Sequence, residues 1–160
     1  MQKVPITKPG FEKLKKELDH LKKVAVPENI RDIEEAIAHG DLSENAEYES
    51  AKAQQSFIQG KVQEIENNLA MSEIIDPNDL TDERVVFGST VILEDTIKDE
   101  SIEYVLVGPY ESNIDENKIS VTSPIGKALI GKEVGDAVSV KTPGGVRKFE
   151  VIDIMIKPHT

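Results

Sequence analysis

Two hydrophobic rhythms divide the chain. From Tyr48, seam positions recur at 3,4 spacing through Ala51, Gln55, Ile58, Val62, Ile65, Leu69 and Ser72. That spacing turns one helical face toward a partner, with polar Gln55 and Ser72 set into a largely apolar seam. An earlier segment keeps similar time: Phe11, Leu14, Leu18, Leu21, then Val24 or Ala25, resuming at Ile30, Ile33 and Ile37. Pro27 falls inside it. Proline removes a helical hydrogen bond and crowds the preceding turn, so the pattern predicts a kink or break between Val24 and Glu28. Thr7, ahead of Lys8-Pro9, is the expected N-cap of this first arm. Either arm by itself would expose a long apolar stripe, and packing one on the other buries both. With only Gly40 to about Leu42 to connect them, the arms are antiparallel neighbours, a rod on the order of 45 Å at about 1.5 Å per residue.

Ile75-Asp76-Pro77-Asn78-Asp79 ends the second arm and opens a polar linker to roughly Glu83. The rhythm then changes to two. Val85 and Phe87, Val91 and Leu93, Ile102, Tyr104 and Leu106, Ile119 and Val121, Val138 and Val140, and Phe149, Val151 and Ile154 alternate with polar or small residues. Thr142-Pro143-Gly144-Gly145 reads as a tight hairpin turn between the last two strands. Ser123-Pro124 opens a short helix, serine as N-cap and proline in the first turn, that ends at Gly131. The chain is thus expected to be α+β. An antiparallel helical coiled coil over 1–75 and a linker over 76–83 precede a mostly antiparallel sheet domain with one short helix over 84–160.

Composition narrows the chemistry. The 160 residues include no cysteine, which excludes disulfides, zinc–thiolate sites and thiol nucleophiles. No apolar run reaches the ~18 residues of a membrane span, and Met1–Pro5 has no continuous apolar stretch of a secretory signal, so the cytoplasm is the expected location. Net charge is −11, and counting Asp76 with the first half, the two halves carry −5 and −6. A duplex nucleic-acid binder needs a basic footprint, and none exists at this scale. Within the helical part lysines dominate between Lys13 and Lys23, whereas eight acids face Arg31 between Glu28 and Glu49. The far end of the rod is therefore acidic and is drawn toward positive charge.

That end carries the candidate chemistry. Asp41, Glu44 and Glu47 place three carboxylates within seven residues of the turn Gly40-Asp41-Leu42-Ser43-Glu44-Asn45-Ala46-Glu47-Tyr48. Asp41-x-x-Glu44 also fits a capping box for the second helix, and acids in a first turn suit the helix dipole. Two carboxylates on an exposed turn hold Mg²⁺ poorly, because the ion wants further oxygens or water around it, so any metal here would need ligands from another molecule. Other motifs are weaker. Gly126-Lys127-Ala128-Leu129-Ile130-Gly131-Lys132-Glu133 resembles a phosphate loop but ends in a carboxylate where a hydroxyl belongs, and Leu129 and Ile130 read as residues that pack on the sheet. His20, His39 and His159 share no metal-ligand spacing.

The tip sequence from His39 to Tyr48, followed by Ala51-Lys52 and Gln54-Gln55, resembles the bacterial GreA-type transcript cleavage factors. So do Phe87-Gly88-Ser89-Thr90-Val91, Ser123-Pro124-Ile125, Leu129-Ile130-Gly131-Lys132-Glu133 and Lys141-Thr142-Pro143-Gly144-Gly145. The blocks run in one register from about Val4 to Ile154. The resemblance implies a C-terminal domain similar to the FKBP-type prolyl isomerases, docked at the rim of RNA polymerase's secondary channel, with Ser123, Pro124 and Ile125 as partner-binding residues. It implies that the coiled coil enters the channel as a monomeric factor without a cofactor of its own. Asp41 and Glu44 would help hold a second catalytic Mg²⁺ shared with the polymerase, supported by Glu47, Asn45 and Tyr48, and the polymerase would cleave backtracked RNA near its 3′ end. Many such factors place basic residues beside the tip; here Ile37, Ala38 and Ser43 stand there, leaving Lys52 and Arg31 to contact RNA. A weak grip on the RNA and release of short fragments are the expectation. The rival readings are a Gre-like inhibitor of the same channel, a prolyl isomerase or chaperone, and a generic coiled-coil adaptor.

Overall fold

A computed structural model describes residues 3–40, 45–75 and 82–156. They group into two units: Glu12–Met71, and the described residues of Met1–Phe11 with those of Ser72–Thr160. The helical unit is therefore shorter at both ends than the expected 1–75. Residues before it form strand β1 (Val4–Ile6), and residues after it form β2 (Ser72–Ile74), paired in parallel with β1. Ser72, expected in the helical seam, is thus in a strand. Pairing with β1 offers its backbone the partners a last helical turn would lack. Ile75 continues the pairing by donating to the Ile6 carbonyl at 3.1 Å, and Ile6 is fully buried.

Helix α1 (Lys8–His20) begins as the sequence predicts, with Thr7 Oγ1 accepting from the Gly10 N–H at 3.1 Å. The kink or break expected between Val24 and Glu28 takes the form of a π turn overlapping the start of that stretch rather than an interruption of the helical chain. One π turn, Leu21–Ala25, joins α1 to α2 (Val26–Ala38), and the Val26 N–H reaches back five residues to the Leu21 carbonyl. The wider turn sits immediately before the proline, which enters α2 in its first turn, where a missing N–H costs least. The extra residue also shifts the phase of the apolar face by about one position. Asn29 and Ala36 are buried at 4% and 1% exposure, while Ile30 and Ile37, the expected seam residues, are 45% and 51% exposed.

Helix α3 (Ala46–Met71) keeps the predicted seam: Ala51, Ile58 and Ile65 are buried and Tyr48, Gln55, Val62 and Leu69 half-buried. It runs antiparallel to the first arm. Lys22 meets Glu66 at 3.5 Å, Asn29 Nδ2 donates to the Ala51 carbonyl at 2.9 Å, and Asn45 Nδ2 donates to the Ala36 carbonyl at 2.7 Å.

The second unit is a five-stranded sheet in the order β5-β4-β3-β7-β6, built from β3 (Thr90–Asp95), β4 (Glu100–Val107), β5 (Lys118–Ser120), β6 (Ala137–Thr142) and β7 (Gly145–Met155). It is mixed rather than wholly antiparallel, since β5 runs parallel to β4. Between them two 3₁₀ turns, a bridge from Asn113 to Lys118 and a left-handed Asn117 (φ 57°) bring the chain back alongside. Leu93, Leu106, Leu129, Phe149 and Val151 form the centre of the core. Val85 is fully buried there outside any strand, its backbone tied to Lys132 and Gly131 at 2.8 Å each. The β6–β7 hairpin closes between Thr142 and Gly145, whose φ of +122° requires glycine.

Candidate functional site

The acidic turn joins α2 to α3. Asp41 and Glu44 lie outside the described residues, and so does His159; the frame on either side of the turn is described. Helix α2 ends with His39 and Gly40 donating backward to the Ala36 and Ile37 carbonyls at 3.2 and 3.1 Å. Gly40 has φ +102°, the left-handed conformation that stops a helix and that glycine adopts without strain.

Helix α3 starts at Ala46, and its cap is Asn45 rather than the expected Asp41. Asn45 Oδ1 accepts from the Tyr48 N–H at 3.1 Å, while the Asn45 carbonyl receives the Glu49 N–H at 3.1 Å. Asparagine suits the place for a reason aspartate cannot match, because the same side chain donates through Nδ2 to the Ala36 carbonyl. Sequence reading carried Asn45 as a supporting residue; its cap signal was present in an Asn followed by Ala46-Glu47. Its bond across the turn had no pattern to announce it.

The supporting residues separate. Glu47 is exposed and pairs with His39 (Oε2 to Nδ1, 3.2 Å), while Tyr48 is half-buried in the seam. Lys52 is exposed on α3, where its Nζ donates to Gln55 Oε1 at 2.7 Å, and Arg31 is exposed on α2. Asp32, Glu35 and Glu47 line a groove of about 590 Å³ with Ala46, Ser50, Ala51 and Gln54, so the frame of the turn is acidic as expected. Among the described residues, no three His, Asp or Glu side chains come together in a cage for a metal ion.

The partner-binding triplet opens helix α4 (Pro124–Leu129). Ser123 is committed to structure: its Oγ accepts from the Gly126 N–H at 3.1 Å and donates to the Ser120 carbonyl at 2.7 Å. Pro124 is exposed, whereas Ile125 packs on the sheet core. The glycine at 126 serves close packing, since a Cβ there would stand 2.1 Å from the Ser120 carbonyl oxygen. Glu133 pairs with Arg84 at 3.6 Å, consistent with the rejection of a phosphate loop. Leu129 is fully buried as expected, but Ile130 is 40% exposed where the chain leaves the helix.

A helical hairpin with an acidic turn, followed by a small mixed sheet, is the class of protein these observations define. Two family models cover nearly the whole chain: "Transcription elongation factor, N-terminal" over residues 4–74 and "Transcription elongation factor, GreA/GreB, C-term" over residues 80–156. The chain belongs to the GreA/GreB family of transcription elongation factors. It is 66% identical over 158 residues to transcription elongation factor GreA of Syntrophus aciditrophicus (strain SB), covering 99% of this chain and 98% of that protein. To GreA of Syntrophobacter fumaroxidans (strain DSM 10017 / MPOB) it is 53% identical, covering 96% and 99%. Among solved structures, GreA factor homolog 1 (Gfh1) of Thermus thermophilus is 33% identical with a TM-score of 0.44, covering 96% of this chain and 99% of that one. Among the described residues no helix is long and apolar enough to cross a membrane.

Proposed function

We propose that this chain is a cytoplasmic factor that binds RNA polymerase, inserts its helical hairpin into the secondary channel, and promotes cleavage of backtracked RNA by the polymerase itself. What supports the reading is that the segment between two antiparallel helices has the sequence Asp41-Leu42-Ser43-Glu44, within a chain that belongs to the transcription elongation factors. The donor chemistry fits magnesium: Asp41 and Glu44 offer hard carboxylate oxygens, and the described frame around them is acidic. Asp41 and Glu44, together with groups of the polymerase, would hold the ion, which would supply a Lewis acid that makes water a nucleophile near neutral pH. The chain's own part is to deliver the two carboxylates, while Lys52 and Arg31 meet the RNA and the Ser123-Pro124-Ile125 turn docks on the channel rim through exposed Pro124. It is not an enzyme on its own and needs no resident cofactor.

The test is a stalled, backtracked elongation complex carrying 3′-labelled RNA. The parent protein releases labelled short fragments, and Asp41→Asn with Glu44→Gln lowers release at least ~100-fold while polymerase affinity stays within about twofold. Release at the parental rate by the double variant sinks the mechanism. Slowed elongation without any release by the parent would instead identify a channel inhibitor.

A further inference from the structure

Within the helical unit, both arms are weakened at one level. In the first arm the π turn sends the Val26 N–H to the Leu21 carbonyl, so the Lys22 carbonyl loses its ordinary donor four residues on. Pro27 has no N–H, and the Lys23 carbonyl loses its ordinary donor as well. Both lysines are exposed, so water can take the place of the bonds that stiffen an α-helix. In the second arm Gly60 lies inside α3, exposed, with no atom within 4 Å of where a Cβ would stand. Packing does not call for glycine there, and glycine is among the weakest helix formers. A groove of about 390 Å³ marks the shared level, lined by Lys22 and Val26 on one arm and by Gln59, Val62 and Glu66 on the other. Lys22 and Glu66 face each other at 3.5 Å, a half-exposed ion pair that water screens.

We infer that this level is a hinge at which the helical hairpin bends toward the groove, swinging the part beyond it as one piece. That part is tied together by two amides. Asn29 on α2 donates to the Ala51 carbonyl at 2.9 Å, and Asn45, the cap of α3, donates to the Ala36 carbonyl at 2.7 Å. Helices bend sharply at π turns, prolines and glycines, and here all three coincide. The 13 residues of α2 lie beyond the π turn. At about 1.5 Å per residue they reach about 20 Å, so a bend of about 20° shifts the last turn of α2 by roughly 7 Å. The hinge goes beyond the functional reading above and does not depend on it: the direction of the hairpin's end is adjustable without unpacking its seam.

The chain has no cysteine, so introduced pairs carry spin labels at chosen sites alone. In the full-length protein, Lys16→Cys with Glu34→Cys spans the hinge, and Glu34→Cys with Glu49→Cys lies wholly beyond it. All three positions are exposed. The distance distribution across the hinge should be at least about 1.5-fold broader than the one beyond it. Adding Gly60→Ala should narrow the first distribution toward the width of the second and leave the second unchanged. Adding Pro27→Ala as well should narrow the first further. A parental distribution across the hinge as narrow as the one beyond it overturns the inference. So does a width that Gly60→Ala leaves unchanged, whatever the variant gains in thermal midpoint, since alanine strengthens any helix. If the proline variant does not fold, Gly60→Ala, whose new methyl group meets open space, decides alone.

Discussion

Asp95 ends β3 as a carboxylate with 1% of its surface exposed, and the backbone turn that follows is built around it. Oδ1 accepts the N–H groups of Ile97 and Lys98, both at 3.0 Å, and Oδ2 faces Arg147 Nη2 at 3.4 Å. The Arg147 guanidinium in turn lies over the Phe149 ring, 4.7 Å from its centre. The Lys98 N–H does most to hold the carboxyl below its ordinary value of 3.8; burial opposes it, and the Ile97 N–H and Arg147 assist. A carboxyl depressed in the folded state contributes stability that is present above the unfolded value and is lost as pH falls through the folded one. Asp95→Asn should therefore be less stable than the parent at pH 7 in urea unfolding, and the gap should narrow as pH is lowered from 3.8. A gap that stays constant down to pH ~2 would mean that the carboxylate's charge contributes nothing and only its shape matters.

At the scale of elements, the helical hairpin is held in register by polar side chains set into an apolar seam. Asn29 is 4% exposed and donates to the Ala51 carbonyl at 2.9 Å, the kind of buried amide that fixes alignment at some cost in stability. Asn29→Leu should raise unfolding stability by about 1 kcal/mol, as apolar burial outweighs one net hydrogen bond. The same change should broaden the distance distribution between spin labels on exposed Glu34 and Glu49. A distribution as narrow as the parent's would show that register is set elsewhere. The α3 seam was legible from its 3,4 spacing because nothing interrupts that helix from Ala46 to Met71. The first arm was legible only as far as Leu21. Beyond it the π turn absorbs a residue, so that Ile30 and Ile37 are exposed while Ile33 stays half-buried beside the buried Asn29 and Ala36. Strands β3, β4, β6 and β7 followed from alternation, whereas β1 and β2 did not, since three-residue strands carry too few positions to show a period of two. In the turn, the acids were legible as residue types. The cross-arm bond of Asn45 was not, because its acceptor is a backbone carbonyl that any residue would supply.

For the whole molecule, the decisive feature is how the chain's beginning is claimed by the unit that follows the helices. Glu111, in a 3₁₀ turn after β4, accepts the Thr7 N–H at 2.8 Å and the Gly108 N–H at 3.1 Å through Oε2, and its Oε1 receives the Thr7 hydroxyl. The two bonds from Thr7 span 104 residues of sequence. They gather the start of α1, the β1–β2 pair and the sheet unit around one carboxylate. The approach is tight: a Cβ on Gly10 would lie 2.3 Å from Glu111 Oε1, and one on Gly108 would lie 1.9 Å from the Pro5 carbonyl oxygen. Replacing Glu111 with Ala removes a charged acceptor from three donors at once, for which a loss of about 1.5–3 kcal/mol is expected. The loss should be local. Native-state hydrogen exchange should show the Thr7 and Ile75 amides losing protection, while the Val151 and Leu106 amides, bonded within the sheet unit, open only with global unfolding. Uniform loss of protection at all four amides would instead make the first residues and the sheet one cooperative block, with Glu111 supporting the core rather than fastening the segment that leads into the helices.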